Sequence, residues 1–358
     1  MRKAASPRPV HPFNNLPETP AVTVVPLRTL VARRTPPGEI LVSQFPTAPS
    51  SPPGVSVILV NWNTRFLTEA AVKTLRTFET STPLEIIIVD NASTDGSVDA
   101  LAESLPDVRI IRNGTNEGFA RANNRGVAEA TQPYVLLLNT DTVAHEEVLP
   151  ACLRALRASG SALVGCRLLN ADGTLQVSAE RFPRLRDLAG ELFRGSRHVQ
   201  ARKLRALPGP QAGPTPVDWL CGAFLLMERH TYLRLGGLSP EIFMYGEDTE
   251  FCWRAHTQGI PCLYVPNVAI THLGGGGINH ASRRSLLVSD AGRLRAFALM
   301  RGRAAAALLR LILMARSASR SVGWALTGLV KQDRARLAKA GNHAHALLAL
   351  AGLKRGEA

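Results

Sequence analysis

The sequence predicts an α/β fold built on an open mixed sheet flanked by helices, followed by a basic helical extension. Three observations carry this expectation. Short β-branched runs recur of the kind buried parallel strands need, helical spacing separates them, and the chain turns arginine-rich and helical after the glycine run 274–277. Val55, Val57, Ile58, Leu59 and Val60 make 55–60 the first strand. Ala71, Val72, Leu75 and Phe78 fall on one side of a helix over 68–78. A second apolar run at 84–89 and a helix at 97–105 repeat the unit. The third strand is 108–111, the third helix 119–130, and the fourth strand 134–138. From 163 to 268 strands and helices mix: 215–227 reads as one strand-like run, 246–254 as a helix start, and 191–207 as a basic, irregular surface loop.

Size and charge bound the function. With 358 residues and 45% apolar composition the chain can bury a sizeable core, as one large domain with appendages. A formal charge of +14 points to an acidic partner, whether nucleic acid, anionic lipid or a phosphorylated substrate. The five cysteines form no C-x-x-C pair, so neither a zinc site nor a secreted disulfide framework is expected, and reduced cytoplasmic thiols are. Residues 1–53 are studded with proline and lack the apolar segment of a signal peptide; they read as a disordered arm. The main domain then runs over 54–280 and the tail over 281–358.

In open α/β sheets ligands sit outside the carboxyl ends of the strands. Those ends carry Asn61-Trp62-Asn63, then Asp90-Asn91-Ala92-Ser93-Thr94-Asp95-Gly96, then Asn139-Thr140-Asp141. Three successive crevice-side loops are thus polar, and two of them bear carboxylates. Neither G-x-G-x-x-G nor a P-loop follows the first strand, so a bound diphosphate needs another counter-charge. A divalent cation on oxygen ligands supplies one, with Asp141 the best placed ligand.

Five segments in order, 57–63, 88–97, 116–126, 137–141 and 245–254, together resemble family 2 glycosyltransferases, in particular their rhamnosyltransferase-like branch. The resemblance spans about 55–275 and implies a GT-A fold, a Rossmann-like sheet. It implies that Asp90 binds the nucleobase, with Asn61 and Asp95 near the nucleoside. Asn116, Gly118, Arg121 and Asn124 line the donor pocket. Asn139-Thr140-Asp141 stands where the family has D-x-D, with Asp141 and His272 holding Mn²⁺ or Mg²⁺. Position 139 departs from the pattern: an amide replaces a carboxylate, which lowers the charge offered to the cation. Asp248 matches the catalytic base of an inverting transfer, a role worth ~10²–10⁴-fold. The implied donor is a dTDP- or UDP-sugar, with rhamnose first; the acceptor is a glycan or a lipid-linked, polyprenyl-diphosphate sugar.

Each motif has a plainer reading. Asp90 and Asp95 sit among Asn, Ser and Gly, as strand-to-helix turns do. Glu247 and Asp248 complement a helix N-terminus, and Glu250 reads as a structural acid. Asp218, Trp219 and Glu247 are acceptor-site candidates, Trp219 through the affinity of an aromatic face for a pyranose. Gln176, Ser178 and Arg181 are weaker donor-site candidates, and the glycines after His272 suggest a flap. In the tail, seven arginines from Arg293 to Arg320 interleave with Leu294, Phe297, Leu308, Leu311, Ile312 and Trp324. No stretch approaches the roughly 18–20 apolar residues of a bilayer span. The tail is therefore expected to lie on an anionic membrane surface, on the inner face of the plasma membrane, or to cap the main domain. Rival functions are a nucleotidyltransferase and a non-catalytic sugar-nucleotide or glycan-binding module. Nucleic acid is discounted, because the basic residues cluster in the tail without a binding motif.

Overall fold

The structure is a computed structural model that describes residues 53–190, 196–274 and 282–352. The arm expected over 1–53 and the flap expected after His272 fall almost wholly outside the described residues. The elements run in the expected order: β1 (Val55–Asn61), α1 (Arg65–Phe78), β2 (Leu84–Asp90), α2 (Ser97–Ser104), β3 (Arg109–Arg112), α3 (Phe119–Ala128), β4 (Tyr134–Leu138), β5 (Thr142–Val143) and α4 (Leu149–Ser159). There follow β6 (Leu163–Leu169), β7 (Ala179–Glu180), α5 (Leu185–Gly190), α6 (Ser196–Arg205), β8 (Thr215–Val217), β9 (Trp219–Leu220) and β10 (Phe224–Glu228). The chain ends through α7 (Arg229–Arg234), α8 (Glu247–Thr257), β11 (Cys262–His272), α9 (Arg283–Val330) and α10 (Arg334–Leu350).

The main sheet has the order β3-β2-β1-β4-β10-β6-β11-β5, with β8 on β11. β1, β2, β3 and β4 run parallel, and β10 enters antiparallel between β4 and β6. This is the mixed α/β sheet flanked by helices that the sequence predicts, with the helical extension after it. Strand residues alternate between two apolar layers, as the period of two demands. Val57, Leu59, Ile86 and Ile88 join Val72 and Leu75 of α1 and Leu149 and Leu153 of α4 on one face. Ile58, Ile87 and Val89 meet Ala120 and Val127 of α3 and Phe251 and Ala255 of α8 on the other.

Two expectations are corrected. The run 215–227 is three short strands, not one: Pro216 cannot donate to a ladder, which suits an edge strand such as β8, and the chain turns at Cys221-Gly222 before β10. The basic segment 191–207 contains the helix α6; only 191–195 lie outside the described residues. Its arginines and lysines are good helix formers but leave no apolar period to read. α9 breaks at Gly302, where φ is 85°. Its first part packs on α5 and α8, and the rest pairs with α10 as a helical hairpin. Among the described residues no helix is long and apolar enough to cross a membrane.

Candidate active site

The register brings the polar loops to one edge of the sheet. Asn61 lies beside Asp90 at the ends of β1 and β2, and Leu138 lies opposite Phe224, so the turn before β10 opens onto the same edge. The end of β11 arrives there too, with His272 paired to Thr142.

At the nucleoside end, Asn61 donates to Asp90 Oδ1 (2.7 Å) and to Ser93 Oγ (3.0 Å). Its own oxygen accepts from Thr64 and Thr68. Asn61 is fully buried with its whole hydrogen-bonding capacity used inside the protein, so its part is to orient Asp90. Asp90 Oδ2 accepts from the Ser93 N–H, and each of its oxygens retains a second lone pair. Asp95 is exposed and accepts from the N–H and hydroxyl of Ser97. Burial of its carboxyl raises the pKa, but those bonds outweigh it and the net shift is downward. That is the turn-capping role.

The donor-pocket candidates divide. Asn116 accepts from Asn91 (3.1 Å) and from the Gly118 N–H (3.0 Å). Asn91, which sequence reasoning did not single out, also bonds Asn113, Glu117 and Gly118 and so fastens the whole 113–118 loop to β2. Only glycine fits at 118: φ is +84°, and a Cβ would stand 2.4 Å from the Phe243 carbonyl oxygen. Arg121, through its Nε alone, and Asn124 bond the segment after α7, at Pro240 O and at both backbone groups of Leu238. The structure joins them to that segment rather than to Asp90 or Asp141.

At the other end Asn139, Asp141 and His272 converge. His272 Nε2 is 3.2 Å from Asp141 Oδ1 and 3.3 Å from Asn139 Nδ2. Gln176 fixes the ring: its Nε2 donates to the His272 carbonyl (2.5 Å), so its Oε1 is the atom facing Nδ1 at 2.9 Å. Nδ1 therefore carries a hydrogen, and Nε2 faces both the Asp141 carboxylate and the Asn139 amide. A carboxylate oxygen and a ring nitrogen this close can share a proton or a cation. Asp141 and His272 thus fit a divalent ion, but among the described residues no third His, Cys, Asp or Glu joins them. Losing the Gln176 bond to His272 Nδ1 in Gln176→Leu is expected to weaken the apparent affinity for Mn²⁺ in the presence of nucleotide by about 10–100-fold. Titration of the thermal shift with Mn²⁺ checks this, and an unchanged midpoint counts against the assignment.

The third cluster surrounds Asp248 on the first turn of α8. Asp248 Oδ2 accepts from the Gly222 N–H (3.0 Å), and Oδ1 accepts from the Thr249 N–H (2.6 Å). Burial raises its pKa, while the bonds from Gly222 and the nearby Trp219 indole oppose the rise. Contact with Trp219 does not amount to a well-formed hydrogen bond, and its buried Nε1 keeps no partner. Glu247 Oε2 is likewise buried and unpartnered. Two unsatisfied polar atoms beside one half-buried carboxylate mark where a polar ligand belongs, because each costs about 1–3 kcal/mol when left unpaired. Cys221 ties the clusters together: burial first, then the charges of Asp248, Glu247 and Asp141, push its thiol up to about 12. Asp218, by contrast, accepts from the Phe182 N–H (3.0 Å) and holds β9 to the chain after β7. Glu250 is a structural acid, paired through both oxygens with Arg254 and bonded by Ser239.

Glu247 has a pKa raised by burial and, second, by Asp248 beside it. A raised acid contributes stability that is full below its unfolded value and lost as pH rises through the folded value. Glu247→Gln is expected to flatten the fall in Tm between about pH 5 and pH 9 and to gain about 1–3 kcal/mol over wild type at the alkaline end. Parallel Tm–pH curves contradict it.

The family model described as glycosyl transferase family 2 matches residues 56–208. The chain is 28% identical over 233 residues to N-acetylglucosaminyl-diphospho-decaprenol L-rhamnosyltransferase of Mycobacterium tuberculosis, covering 58% of this chain and 70% of that protein. It is 29% identical over 212 residues to a low-salt glycan biosynthesis hexosyltransferase of Haloferax volcanii, covering 58% and 62%. Among solved structures, a mannosyltransferase of Pyrobaculum calidifontis in complex with GDP-Man and Mn²⁺ aligns at TM-score 0.47 and 21% identity, covering 86% of this chain and 89% of that one.

Proposed function

From the premise that the chain carries a family 2 glycosyltransferase domain, we propose that it is an inverting glycosyltransferase acting on a nucleotide-diphosphate sugar. Rhamnose on dTDP is the first donor to test and a UDP-hexose the second, since the Mycobacterium relative is named an L-rhamnosyltransferase. The proposed acceptor is a sugar hydroxyl on a glycan or on a polyprenyl diphosphate. One observation carries the reading: Asp248 is held by Gly222 beside two buried, unsatisfied polar atoms, with the Asp141–His272 pair at the same sheet edge.

In the proposed step, Asp90 and the loop after β2 orient the nucleoside. Asp141 and His272, with Asn139 beside them, would hold a divalent cation at the diphosphate end of the donor. When bound, the ion neutralises charge on the departing diphosphate. Trp219 Nε1 and Glu247 position the acceptor by the bonds they lack. Asp248 takes the proton from the acceptor hydroxyl as its oxygen bonds to the anomeric carbon. The bond from that carbon to the diphosphate breaks on the opposite face, inverting the centre.

The test is thermal shift against a panel of nucleoside diphosphates and sugar nucleotides, with and without Mn²⁺ or Mg²⁺. A shift that needs both one nucleotide and the metal supports the donor site. No shift with any pair removes it, and leaves a non-catalytic glycan-binding role to be tried.

A further inference from the structure

The helical hairpin after Gly302 has a face that the sheet domain does not use. Leu308, Leu311, Val322, Leu326, Leu329 and Val330 are between 53% and 84% exposed. At 100° per residue they fall on one stripe of α9, with Ala315 between them, over about 33 Å of helix. The residues of the same helix that are buried, Leu309, Leu313, Ser317 and Gly328, lie on roughly the opposite side, towards α10 and the first part of α9. An apolar stripe of this length on a described surface is larger than scattered exposed leucines explain.

Charge chooses its occupant. Residues 283–352 hold thirteen lysines and arginines against two acids, Asp290 and Asp333. Asp290 is itself buried against Arg316. Between those two acids no carboxylate occurs, and Arg303, Arg310, Arg320, Lys331, Arg334 and Lys339 are exposed around the hairpin. An anionic lipid surface meets the same charges with opposite sign.

We propose that the α9 stripe is a membrane-docking surface, which beds into the headgroup layer of an anionic bilayer while the net positive charge of the hairpin draws it to that surface. The hairpin is continuous with the catalytic edge. In the first part of α9, Gly292 packs against the carbonyls of Met244 and Tyr245, just before Glu247 and Asp248, and Arg284 stacks on Trp62 after β1. Docking therefore sets the orientation of the Asp248 turn relative to the bilayer. This inference stands on the hairpin alone and does not need the proposed donor or acceptor.

The experiment is flotation of the full chain with vesicles free of any acceptor, one set phosphatidylcholine only and one set mixed equally with phosphatidylglycerol. Wild type is expected to float with the anionic vesicles and to lose binding as salt rises. Leu308→Gln, Leu311→Gln, Leu326→Gln and Leu329→Gln combined should lower partitioning by about a hundredfold while keeping the wild-type melting curve. Arg303→Gln, Lys331→Gln and Arg334→Gln combined should lower it about tenfold or more on anionic vesicles only. Failure of wild type to float, or undiminished flotation of the leucine variant, overturns the proposal. So does a wild-type dimer in sedimentation that the leucine variant converts to monomer, which gives the stripe to a second copy.

Discussion

Asp248→Asn is expected to lower the rate of sugar transfer by about 10²–10⁴-fold while leaving nucleotide binding in place. The Asp248 carboxylate can accept a proton and is held by two backbone N–H groups, those of Gly222 and Thr249. Burial raises its pKa above the ordinary aspartate value, which makes it a stronger base than an exposed aspartate. The same shift places the acid limb of the kcat/KM profile above the usual aspartate range: activity is lost as pH falls through the raised value. Asparagine keeps the shape but offers one oxygen where two were used. Its NH₂ must then face either Gly222 N–H or Thr249 N–H, a donor against a donor, at a cost of about 1–3 kcal/mol. The variant is therefore to be read by kcat alongside Tm and by the nucleotide-induced thermal shift. A variant with wild-type kcat removes Asp248 from the role of base. Loss of the nucleotide shift along with kcat would mean a misfolded turn rather than a lost base.

Asp141→Ala is expected to abolish the metal-dependent part of nucleotide stabilisation, which at ligand a hundredfold above Kd is worth about 2.7 kcal/mol. His272 and Asn139 would remain, but they offer no negative charge. The backbone at 141 is pinned independently, through the Leu273 N–H to the Asp141 carbonyl (2.8 Å), so the truncation removes a ligand without releasing the loop. Asp141→Asn refines the result: it keeps an oxygen in place and removes the charge, as residue 139 already does relative to the family pattern. Metal-dependent shifts that survive in both variants would place the cation elsewhere.

The repeating strand and helix units were legible because burial on both faces of a sheet demands continuous β-branched runs, and the helices between them carry a 3.6-residue apolar period. β1, β2 and β4 begin and end within a residue of the expected positions. Their polar ends were legible for the same reason: Asn61, Asp90 and Asp141 interrupt apolar runs where a strand leaves the core. The tail was half legible. Its mixture of arginine and apolar residues fitted both a cap and a membrane-facing helix, and the structure buries the apolar side chains of one stretch and leaves those of another exposed. Phe297 is buried in the first part of α9 and Leu294 is packed beside it, while Leu308 and Leu311 face outward after Gly302.

What the sequence by itself determined, then, is the periodic part of the protein: which runs are strands, which are helices, and which polar loops share the carboxyl edge. Periodicity is a local property, and one strand's neighbours do not alter it. Only the tertiary structure decided the rest. The antiparallel insertion of β10 between β4 and β6 places Gly222 against Asp248, 26 positions away. The arrival of β11 beside β5 sets His272 against Asp141, a pair that the family resemblance implied but no local pattern did, and a turn after β6 brings Gln176 to the imidazole from 96 residues away. These contacts join segments with no common period, through hydrogen bonds whose direction depends on backbone path, and a linear pattern holds no trace of that path.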